Sequence, residues 1–419
     1  MNNTILILTH KYPYEPPTEQ FFHQELQFIV QEFEKIIIIP TSRYINKNHS
    51  FDNNSKVIVA NITHKLMFFD VFRGILFGAV FNISFWREIR AIYKNKNFDK
   101  LGLIKEITKS YVRSSFIFFS IMKSIRKIIT MDENVLIYSY WLNNDAIVGA
   151  KLKIHLTRKG FKNVKILSRA HGQGDLYVNY RPQLKYISDN LDEIVSISRN
   201  GAQFLEKSGF NQKKISVSRL GVSKQFIPNS TPTQFIIASC SMINDNKRVE
   251  KIARALSLIH NKTIKWVHFG EGELKQLLTR YIQNTIPSNV ECVLRGNVPN
   301  QEIIEYYLKY RPSIFINVST IEGIPVSIME AMSCGIPVIA TDVGATNEIV
   351  NDGENGLLLN KDFCDKNLAD LIERFHDDPV LVNKMGLAAY NKWHNDYDSN
   401  KNYMEFVNKC ITLLVNKRK

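Results

Sequence analysis

The stretch SIFINVSTIEGIPVSIME, residues 313–330, carries the pattern that decides the fold. Its first six residues are almost continuously apolar, as in a strand that is buried on both faces. From residue 326 onward, small and apolar side chains follow at helical spacing and stop before Gly335, a common residue just beyond a helix C-terminus. The sequence therefore predicts a strand, a loop and a helix, with Glu322 on the loop and Glu330 about two turns into the helix.

The loop and the first turn of this helix form a candidate phosphate site. Backbone N–H groups are unsatisfied at a helix N-terminus, and the helix dipole favours an anion there. Glu322 and Glu330 are eight positions apart, which is too far for a contiguous metal clip. They are better placed to bind hydroxyl groups on either side of the anion. A strand, a Gly-Pro turn and a helix also occur in α/β proteins without such a site, and the spacing alone leaves both interpretations open.

Strands and helices alternate along the whole chain, which predicts parallel sheets covered by helices on both faces. Residues 223–234 contain clustered Pro, Ser and Thr, and we predict a linker there. We therefore expect domains at 1–222 and 235–395, and a terminal helix within residues 396–419. The expected strands are residues 4–9, 35–40, 56–60, 134–140, 164–169, 194–197 and 215–218 in the first domain, and 235–239, 264–269, 291–294, 313–318 and 337–341 in the second.

The composition is that of an ordinary globular protein with a basic first half. The 419 residues carry a formal net charge of +14, and most of the excess of Lys and Arg lies in residues 1–200. Such a charge favours nucleic acid, anionic lipid or a phosphorylated substrate as a partner. Since no helix-turn-helix, zinc-finger or RNA-recognition pattern accompanies the charge, we do not expect nucleic acid.

The five cysteines are odd in number, lie in the second half and show no paired spacing. This usage is typical of a reducing compartment and argues against disulfides and a zinc site. The sequence starts on an apolar strand pattern without a secretory signal, so we expect a cytoplasmic location. Because no Asp-x-Asp pair follows a strand, we do not expect a metal ion. We also expect no cofactor.

Residues 65–127 combine clustered aromatic side chains with Lys and Arg. The best apolar run there, residues 74–86, has 13 residues and is shorter than the ~20 that a membrane-spanning helix needs. Aromatic and basic side chains together are typical of helices that lie on an anionic membrane surface. We interpret the segment as a peripheral contact with the inner face of the cytoplasmic membrane. The alternative is that these helices pack on the first domain's sheet. The side chains concerned are Lys65, Phe68, Phe69, Phe72, Arg73, Phe77, Phe81, Phe85, Trp86, Arg87, Arg90, Phe116, Phe118, Phe119, Met122, Lys123, Arg126 and Lys127.

Residues 319–359, which include both glutamates, resemble the signature of the retaining GT-B glycosyltransferases of the group 1, or family four, class. The resemblance extends more weakly over residues 5–395. It implies an α/β fold of two doubly wound Rossmann-like domains that face each other across a cleft, with a terminal helix that crosses back to the first domain. It also implies transfer of a sugar, with retention of configuration, from a nucleotide-diphosphate sugar. The acceptor would be a glycan or a polyprenyl-diphosphate-linked glycan, as in capsule, exopolysaccharide and lipopolysaccharide synthesis.

The resemblance also implies a donor site in the second domain. In the family, the first glutamate of the pair binds donor-sugar hydroxyls and the second binds the nucleotide ribose. A Lys and an Arg grip the diphosphate; Lys247 matches the Lys, but the Arg falls near Met242, and Arg248 is the possible substitute. A Gly-acidic-Gly turn and a nucleobase-recognising loop follow. The implied donor-binding residues are Lys247, Arg248, Gly270, Glu271, Gly296, Val298, Glu322, Gly323, Ile324, Pro325, Val326 and Glu330.

In the first domain, the resemblance points to the end of the strand at residues 164–169. The family's histidine beside the reacting sugar matches His171, which we expect to be catalytic together with Glu322. Arg169, Asp175 and Glu19 are expected on the acceptor side, although prolines replace the family's glycines near Glu19. The family implies that the leaving phosphate acts as the base, so no protein nucleophile is assigned.

Three other functions remain open at this point. A nucleotide-sugar epimerase could share the fold, and the missing Arg near Met242 would suit a non-catalytic partner subunit of a glycosyltransferase. An NAD-dependent dehydrogenase needs Gly-x-Gly-x-x-Gly after its first strand, and residues 9–13 lack it. The sequence leaves open the sugar, the nucleotide base, the acceptor and the linkage.

Overall fold

The computed structural model describes residues 3–14, 19, 21–42, 54–60, 68–94, 100–172, 175–176, 180–225 and 234–415. The chain divides into two compact units. Unit 1 comprises Met1–Ile197, Gly201–Ser218 and Tyr403–Lys419, and unit 2 comprises Ser198–Asn200 and Arg219–Asn402. The predicted linker falls largely on residues 226–233, which lie outside the described residues.

Unit 1 is built on a seven-stranded parallel sheet with the order β3-β2-β1-β4-β5-β6-β7. Its strands are β1 (Asn3–Thr9), β2 (Lys35–Pro40), β3 (Val57–Val59), β4 (Asn134–Ser139), β5 (Asn163–Ala170), β6 (Glu193–Ser196) and β7 (Ile215–Val217). The sheet is buried on both faces. In β2, Ile37 and Ile39 join the core on one face, whereas Ile36 and Ile38 join the core on the other. This explains why the strands read as continuous apolar runs instead of alternating ones.

Unit 2 contains a six-stranded parallel sheet with the order β10-β9-β8-β11-β12-β13. Its strands are β8 (Ile236–Cys240), β9 (Ile264–Phe269), β10 (Val290–Gly296), β11 (Ile314–Asn317), β12 (Val338–Thr341) and β13 (Gly356–Leu359). In both sheets the strand order reverses beside a central strand, β1 or β8. Ligands of such sheets bind beyond the carboxyl ends of the strands at that reversal. The loops there are therefore the first places to look for a site.

Helices cover both sheets. In the first part of the chain they are α1 (Phe22–Glu32), α2 (Phe68–Ile75), a π-helical turn (Leu76–Val80), α3 (Ile83–Lys94), α4 (Lys100–Ile125), α5 (Asn144–Arg158), α6 (Leu184–Asn190) and α7 (Arg199–Lys207). The second part has α8 (Glu250–Leu256), α9 (Lys275–Thr285), α10 (Asn300–Tyr310), α11 (Val326–Ser333), α12 (Thr346–Ile349), α13 (Asp365–Asp377), α14 (Pro379–Asp396) and α15 (Ser399–Val415). The terminal helix α15 buries Phe406, Val407, Cys410 and Leu414 in the core of unit 1.

The predicted α/β fold with two parallel-sheet units is confirmed. The predicted strands also match, with ends that differ by a residue or two. One local prediction is wrong: Glu330 is the fifth residue of α11, so it lies little more than one turn into the helix.

The aromatic segment between residues 68 and 127 divides into buried and exposed side chains. Phe85 and Phe116 are buried, as the packing alternative expects. Others are exposed, up to 68% for Phe81, and the exposed set is Phe72, Phe77, Phe81 and Trp86. Lys65 and the side chains of Phe68 and Phe69 lie outside the described residues. Within the described ranges, no helix combines the length and the apolar character needed to cross a bilayer.

Candidate active site

Three loops of unit 2 are held together by backbone hydrogen bonds at the carboxyl ends of β8, β9 and β10. The Ser241 amide donates to the Phe269 carbonyl at 3.0 Å, and the Gly270 amide donates to the Gly296 carbonyl at 2.8 Å. Gly270 has φ +137°, and a Cβ there would lie 1.9 Å from the Ser241 carbonyl oxygen. The close approach of these backbones therefore requires glycine, and Gly270 and Gly296 shape the site through the main chain.

Glu271 and Val298 lie on the same loops. The Glu271 carboxylate pairs with Lys275 one helical turn later, and its Oε1 would meet a Cβ placed on Gly296. Val298 is half-buried just before α10. Neither side chain is enclosed, so both lie on the rim of this loop cluster.

Lys247 and Glu322 form an ion pair at the centre of the unit 2 site. The Lys247 Nζ lies 2.6 Å from Glu322 Oε1, and Asn317 Nδ2 donates to the same oxygen at 3.3 Å. Glu322 is only 8% exposed, and these two partners hold its carboxylate in place. The loop that carries it is tied to the neighbouring loop by Thr320, whose amide donates to the Asn246 carbonyl at 2.8 Å.

Gly323, Ile324 and Pro325 follow Glu322 and lead into helix α11, which begins at Val326. Pro325 is its N-cap and supplies no side-chain hydrogen bond to the first turn. A helix N-terminus without a side-chain cap has backbone N–H groups to offer and a positive end of the dipole. The helix N-terminus at which the sequence predicts a phosphate thus follows Glu322, the ion-pair partner of Lys247, by four residues.

Glu330 points from α11 into a buried position next to α10. It is 6% exposed, and Asn300 Nδ2 donates to its Oε1 at 2.7 Å. Burial raises the pKa of Glu330 to about 7, and the Asn300 hydrogen bond opposes that shift only in part. Sequence reasoning missed Asn300; its position at the start of the helix after β10 was the available signal.

Arg248, the candidate substitute for the missing arginine, is engaged by backbone carbonyls of neighbouring loops. Its Nε donates to the Val318 carbonyl at 2.8 Å and its Nη1 to the Lys361 carbonyl at 2.9 Å. The guanidinium also lies over the Phe363 ring, 5.4 Å from the ring centroid. Arg248 therefore fastens neighbouring loops together. Met242, at the position of the missing arginine, is 62% exposed.

A buried polar chain that sequence reasoning missed lies beneath the first loop. Trp266 Nε1 donates to Ser239 Oγ at 2.9 Å, Ser239 Oγ lies 2.8 Å from His268 Nδ1, and His268 Nε2 lies 3.1 Å from the Ser241 carbonyl oxygen. Burial lowers the pKa of His268 to about 4, so the ring is neutral at neutral pH. A neutral ring that donates from Nε2 satisfies every member of this chain. It thereby fixes the Ser241 carbonyl under the loop.

In unit 1, His171 follows β5 and packs against two aromatic rings. Its ring centroid lies 4.3 Å from that of Tyr140 and 4.7 Å from that of Trp141. Within the described residues, its Nε2 has no hydrogen-bond partner. Burial and the nearby Arg169 charge hold the pKa of His171 well below its ordinary value, so the ring is neutral at neutral pH.

Asp175 and Glu19 organise backbone around His171. Asp175 accepts hydrogen bonds from the His171 amide at 2.9 Å and the Gly172 amide at 2.7 Å, and burial raises its pKa to about 6. Glu19 accepts from the Tyr12 amide at 3.1 Å and from Trp141 Nε1 at 3.1 Å. Both carboxylates are buried and engaged by backbone N–H groups. They hold the loops that surround His171.

Arg169 is not on the acceptor side, which corrects that prediction. Its side chain is fully buried, ion-pairs with Glu25 of α1 and lies 4.3 Å from the centroid of Phe406 in α15. It also donates to the Ser218 carbonyl at 3.0 Å. Successive side chains of a strand point to opposite faces of the sheet. A strand-end residue can therefore enter the core, and Arg169 does so.

Among the described residues, no group of three or more His, Cys, Asp and Glu side chains is arranged to hold a metal ion. The carboxylates of the candidate sites are instead engaged by lysine, amide groups and backbone N–H groups.

Comparison with known proteins places unit 2 in a family context. Residues 223–392 match the model of the family described as Glycosyl transferases group 1. The chain is 28% identical over 213 residues to a putative colanic acid biosynthesis glycosyltransferase of Escherichia coli, covering 48% of this chain and 50% of that protein. It is also 28% identical over 155 residues to a UDP-Gal:α-D-GlcNAc-diphosphoundecaprenol α-1,3-galactosyltransferase of Escherichia coli, covering 36% and 38%.

The chain spans less than two thirds of the length of the curated relatives it matches. The likeness to solved structures covers more of the chain than this sequence likeness. A crystal structure of a glycosyltransferase from Rickettsia africae matches with a TM-score of 0.65 at 16% identity, over 99% of this chain and 100% of that chain. The resemblance to GT-B group 1 glycosyltransferases expected from the sequence is thus confirmed, and the structural likeness shows the fold.

Proposed function

We propose that this chain is a retaining, metal-independent glycosyltransferase that uses a nucleotide-diphosphate sugar in bacterial surface polysaccharide synthesis. One observation carries the proposal: the Lys247–Glu322 ion pair, 2.6 Å across, lies beside the N-terminus of α11 that no side chain caps. An anion that enters there meets a lysine, backbone N–H groups and a helix dipole together. The matches to group 1 glycosyltransferases agree with this assignment.

In this proposal, unit 2 binds the donor. The Lys247 ammonium turns from Glu322 to the diphosphate and stabilises the charge that develops as the sugar leaves. Glu322, released from the lysine, accepts hydrogen bonds from sugar hydroxyls. Glu330 and Asn300 form a carboxylate and amide pair suited to the ribose diol. Donor binding thus exchanges an internal ion pair for two contacts with the ligand.

Unit 1 supplies the acceptor side and His171. Because its pKa is held well below the ordinary value, His171 acts as a neutral hydrogen-bonding group and not as a fixed cation. The leaving phosphate takes the acceptor proton, so no protein nucleophile is required. Glu19 and Asp175 serve this site indirectly, since they hold the loops around His171.

The acceptor is a glycan or a polyprenyl-diphosphate-linked glycan, and we place the protein in the cytoplasm at the inner membrane surface. One of the matched relatives acts on a diphosphoundecaprenol-linked sugar, as its name states. The exposed aromatic side chains of the segment Phe72–Trp86, beside Arg73 and Arg87, suit a membrane interface. Anionic lipids attract such basic segments within about 10 Å at 0.1 M salt.

The proposal is tested by product formation from UDP-, GDP- and ADP-sugars, selected first by thermal shift, with and without lipid-linked acceptors. We expect the nucleoside diphosphate to be released only when an acceptor is present. The product should keep the anomeric configuration of the donor, and the rate should be unchanged in EDTA. Turnover of the nucleotide sugar without any acceptor would indicate an epimerase. Donor binding without transfer to any acceptor would indicate a non-catalytic partner subunit.

A further inference from the structure

A cavity that contains none of the predicted donor or acceptor residues opens in unit 1, at the amino ends of β4 and β5. Its volume is about 860 Å³, within the range of roughly 300–1,000 Å³ that is usual for small-molecule sites. The walls come from the last turns of α4 and α5 and from the segments that lead into the two strands. His171 follows the opposite, carboxyl end of β5. The cavity therefore does not belong to the acceptor site described above.

The cavity is lined by both apolar and basic side chains. Phe118, Phe119, Met122 and Leu156 are among the apolar residues, and Phe118 and Phe119 pack edge to face at 5.4 Å. The charged residues are all basic: Arg73, Lys123, Arg126 and Lys159, with His155 beside them. No aspartate or glutamate is among the lining residues that the structure describes.

Two further observations point to a positive potential at an apolar wall. The Arg73 guanidinium lies 5.5 Å from the centroid of the Phe119 ring. Burial, Lys159 and Arg158 lower the pKa of His155, as expected where cations gather around a partly desolvated ring. Basic side chains at helix C-termini also stabilise the helix dipole, and that alone would explain part of this charge. It does not explain a large apolar cavity among them.

The cavity is connected to the exposed aromatic surface by a row of rings. Phe119 in the wall packs against Phe77 at 5.9 Å, and Phe77 packs against the exposed Phe81 at 6.2 Å. An alkyl chain that follows this row remains on apolar surface between the cavity and the solvent-exposed helices. A free phosphate or a sugar would leave the aromatic walls unused.

We propose that this cavity binds an anionic phospholipid of the membrane, with an acyl chain along the Phe118–Phe119–Met122 wall and the phosphate against Arg126 and Lys159. The inference deepens the membrane contact proposed above, because it turns a general surface attraction into a site for one lipid molecule. It does not depend on the transfer reaction.

The test uses dihexanoyl phosphatidylglycerol as free monomers, titrated into the full-length protein by calorimetry. Dihexanoyl phosphatidylcholine tests the need for net negative charge, and inorganic phosphate tests the need for the chain. We expect binding of the phosphatidylglycerol, at least tenfold weaker binding of the phosphatidylcholine, and no measurable binding of inorganic phosphate at the same concentration.

Two charge-matched double variants distinguish a specific lipid-binding site from general electrostatic attraction to the lipid. R126E/K159E alters two lining residues, whereas K127E/R158E makes the same charge change at neighbouring exposed positions that do not line the cavity. We expect at least tenfold weaker lipid binding for R126E/K159E and less than a twofold change for K127E/R158E. Met122→Trp fills the cavity without a charge change and should also weaken binding at least tenfold. Thermal unfolding and nucleotide binding by unit 2 verify that each variant is folded.

Equal losses in the two double variants would overturn the proposal in favour of diffuse electrostatics. Inorganic phosphate that binds as tightly as the lipid would overturn it in favour of a free-anion site. If the monomeric lipid does not bind while anionic vesicles still do, the lipid site is wrong although the general membrane contact stands. None of these results depends on whether the protein transfers sugar.

Discussion

Buried charged side chains near the carboxyl edges of the two sheets differ in the partners that hold them. In unit 2, Glu322 is held by a partly exposed lysine, and Glu330 has an amide partner that compensates its burial only in part. In unit 1, Arg169 and Glu25 neutralise each other inside the core. A charge whose partner can turn to a ligand is suited to binding. A charge paired with an opposite charge inside the core is suited to holding the fold.

The largest expected effect follows from removing one partner of the internal pair. Arg169→Met leaves the Glu25 carboxylate buried without its cation, which should cost about 3–5 kcal/mol of unfolding free energy. Urea denaturation of the purified protein measures this cost. The double variant Glu25→Met/Arg169→Met should recover most of it, since no buried charge then remains. A loss below about 1 kcal/mol for the single variant would contradict the structural role of Arg169.

The sequence predicted the sheets well because the strands are buried on both faces and read as unbroken apolar runs. It did not predict the role of Arg169, because its partner Glu25 lies in the first helix and only the folded chain brings the two together. Asn300 and the chain from Trp266 to Ser241 were missed for the same reason: their partners are remote in sequence. Motif spacing located the donor loops, but which side chains face a ligand depends on packing.

The lysine of unit 2 should instead affect binding. Lys247→Ala removes one charge-assisted hydrogen bond to the diphosphate, worth about 1.5–3 kcal/mol, or roughly 10–100-fold in affinity for the nucleoside diphosphate. Lys251→Ala is the matched control, because Lys251 also pairs with a carboxylate, Asp365 at 3.1 Å, but lies in α8. Calorimetry should show little change for the control. Equal affinities in the two variants would remove Lys247 from the donor site.

A smaller effect is expected at Glu330, which should make the folding stability depend on pH. Its pKa is raised in the folded state, so the unfolded chain releases the proton first as pH rises. Folding stability is therefore lost between the usual glutamate pKa, near 4.5, and about 7, and the loss persists above that pH. The gain in folding stability of Glu330→Gln over the wild type should thus be larger at pH 8 than at pH 5, by about 1–3 kcal/mol.

The same Glu330→Gln protein should bind nucleotide sugar more weakly, since the carboxylate no longer accepts from the ribose. Thermal unfolding at the two pH values, with and without nucleotide, measures both effects on one sample. A stability gain that is the same at pH 5 and pH 8 would show that Glu330 does not titrate as its burial requires.

The central claim is that Glu322 acts on the donor sugar, and the most direct measurement is the initial rate of transfer by Glu322→Gln. Glu354→Gln is the control, an exposed glutamate on the loop before β13. We expect a loss of at least about 100-fold in kcat/KM for Glu322→Gln, which corresponds to about 2.7 kcal/mol, with the fold intact and the control within twofold of the wild type. Transfer by Glu322→Gln at the wild-type rate would contradict the assignment.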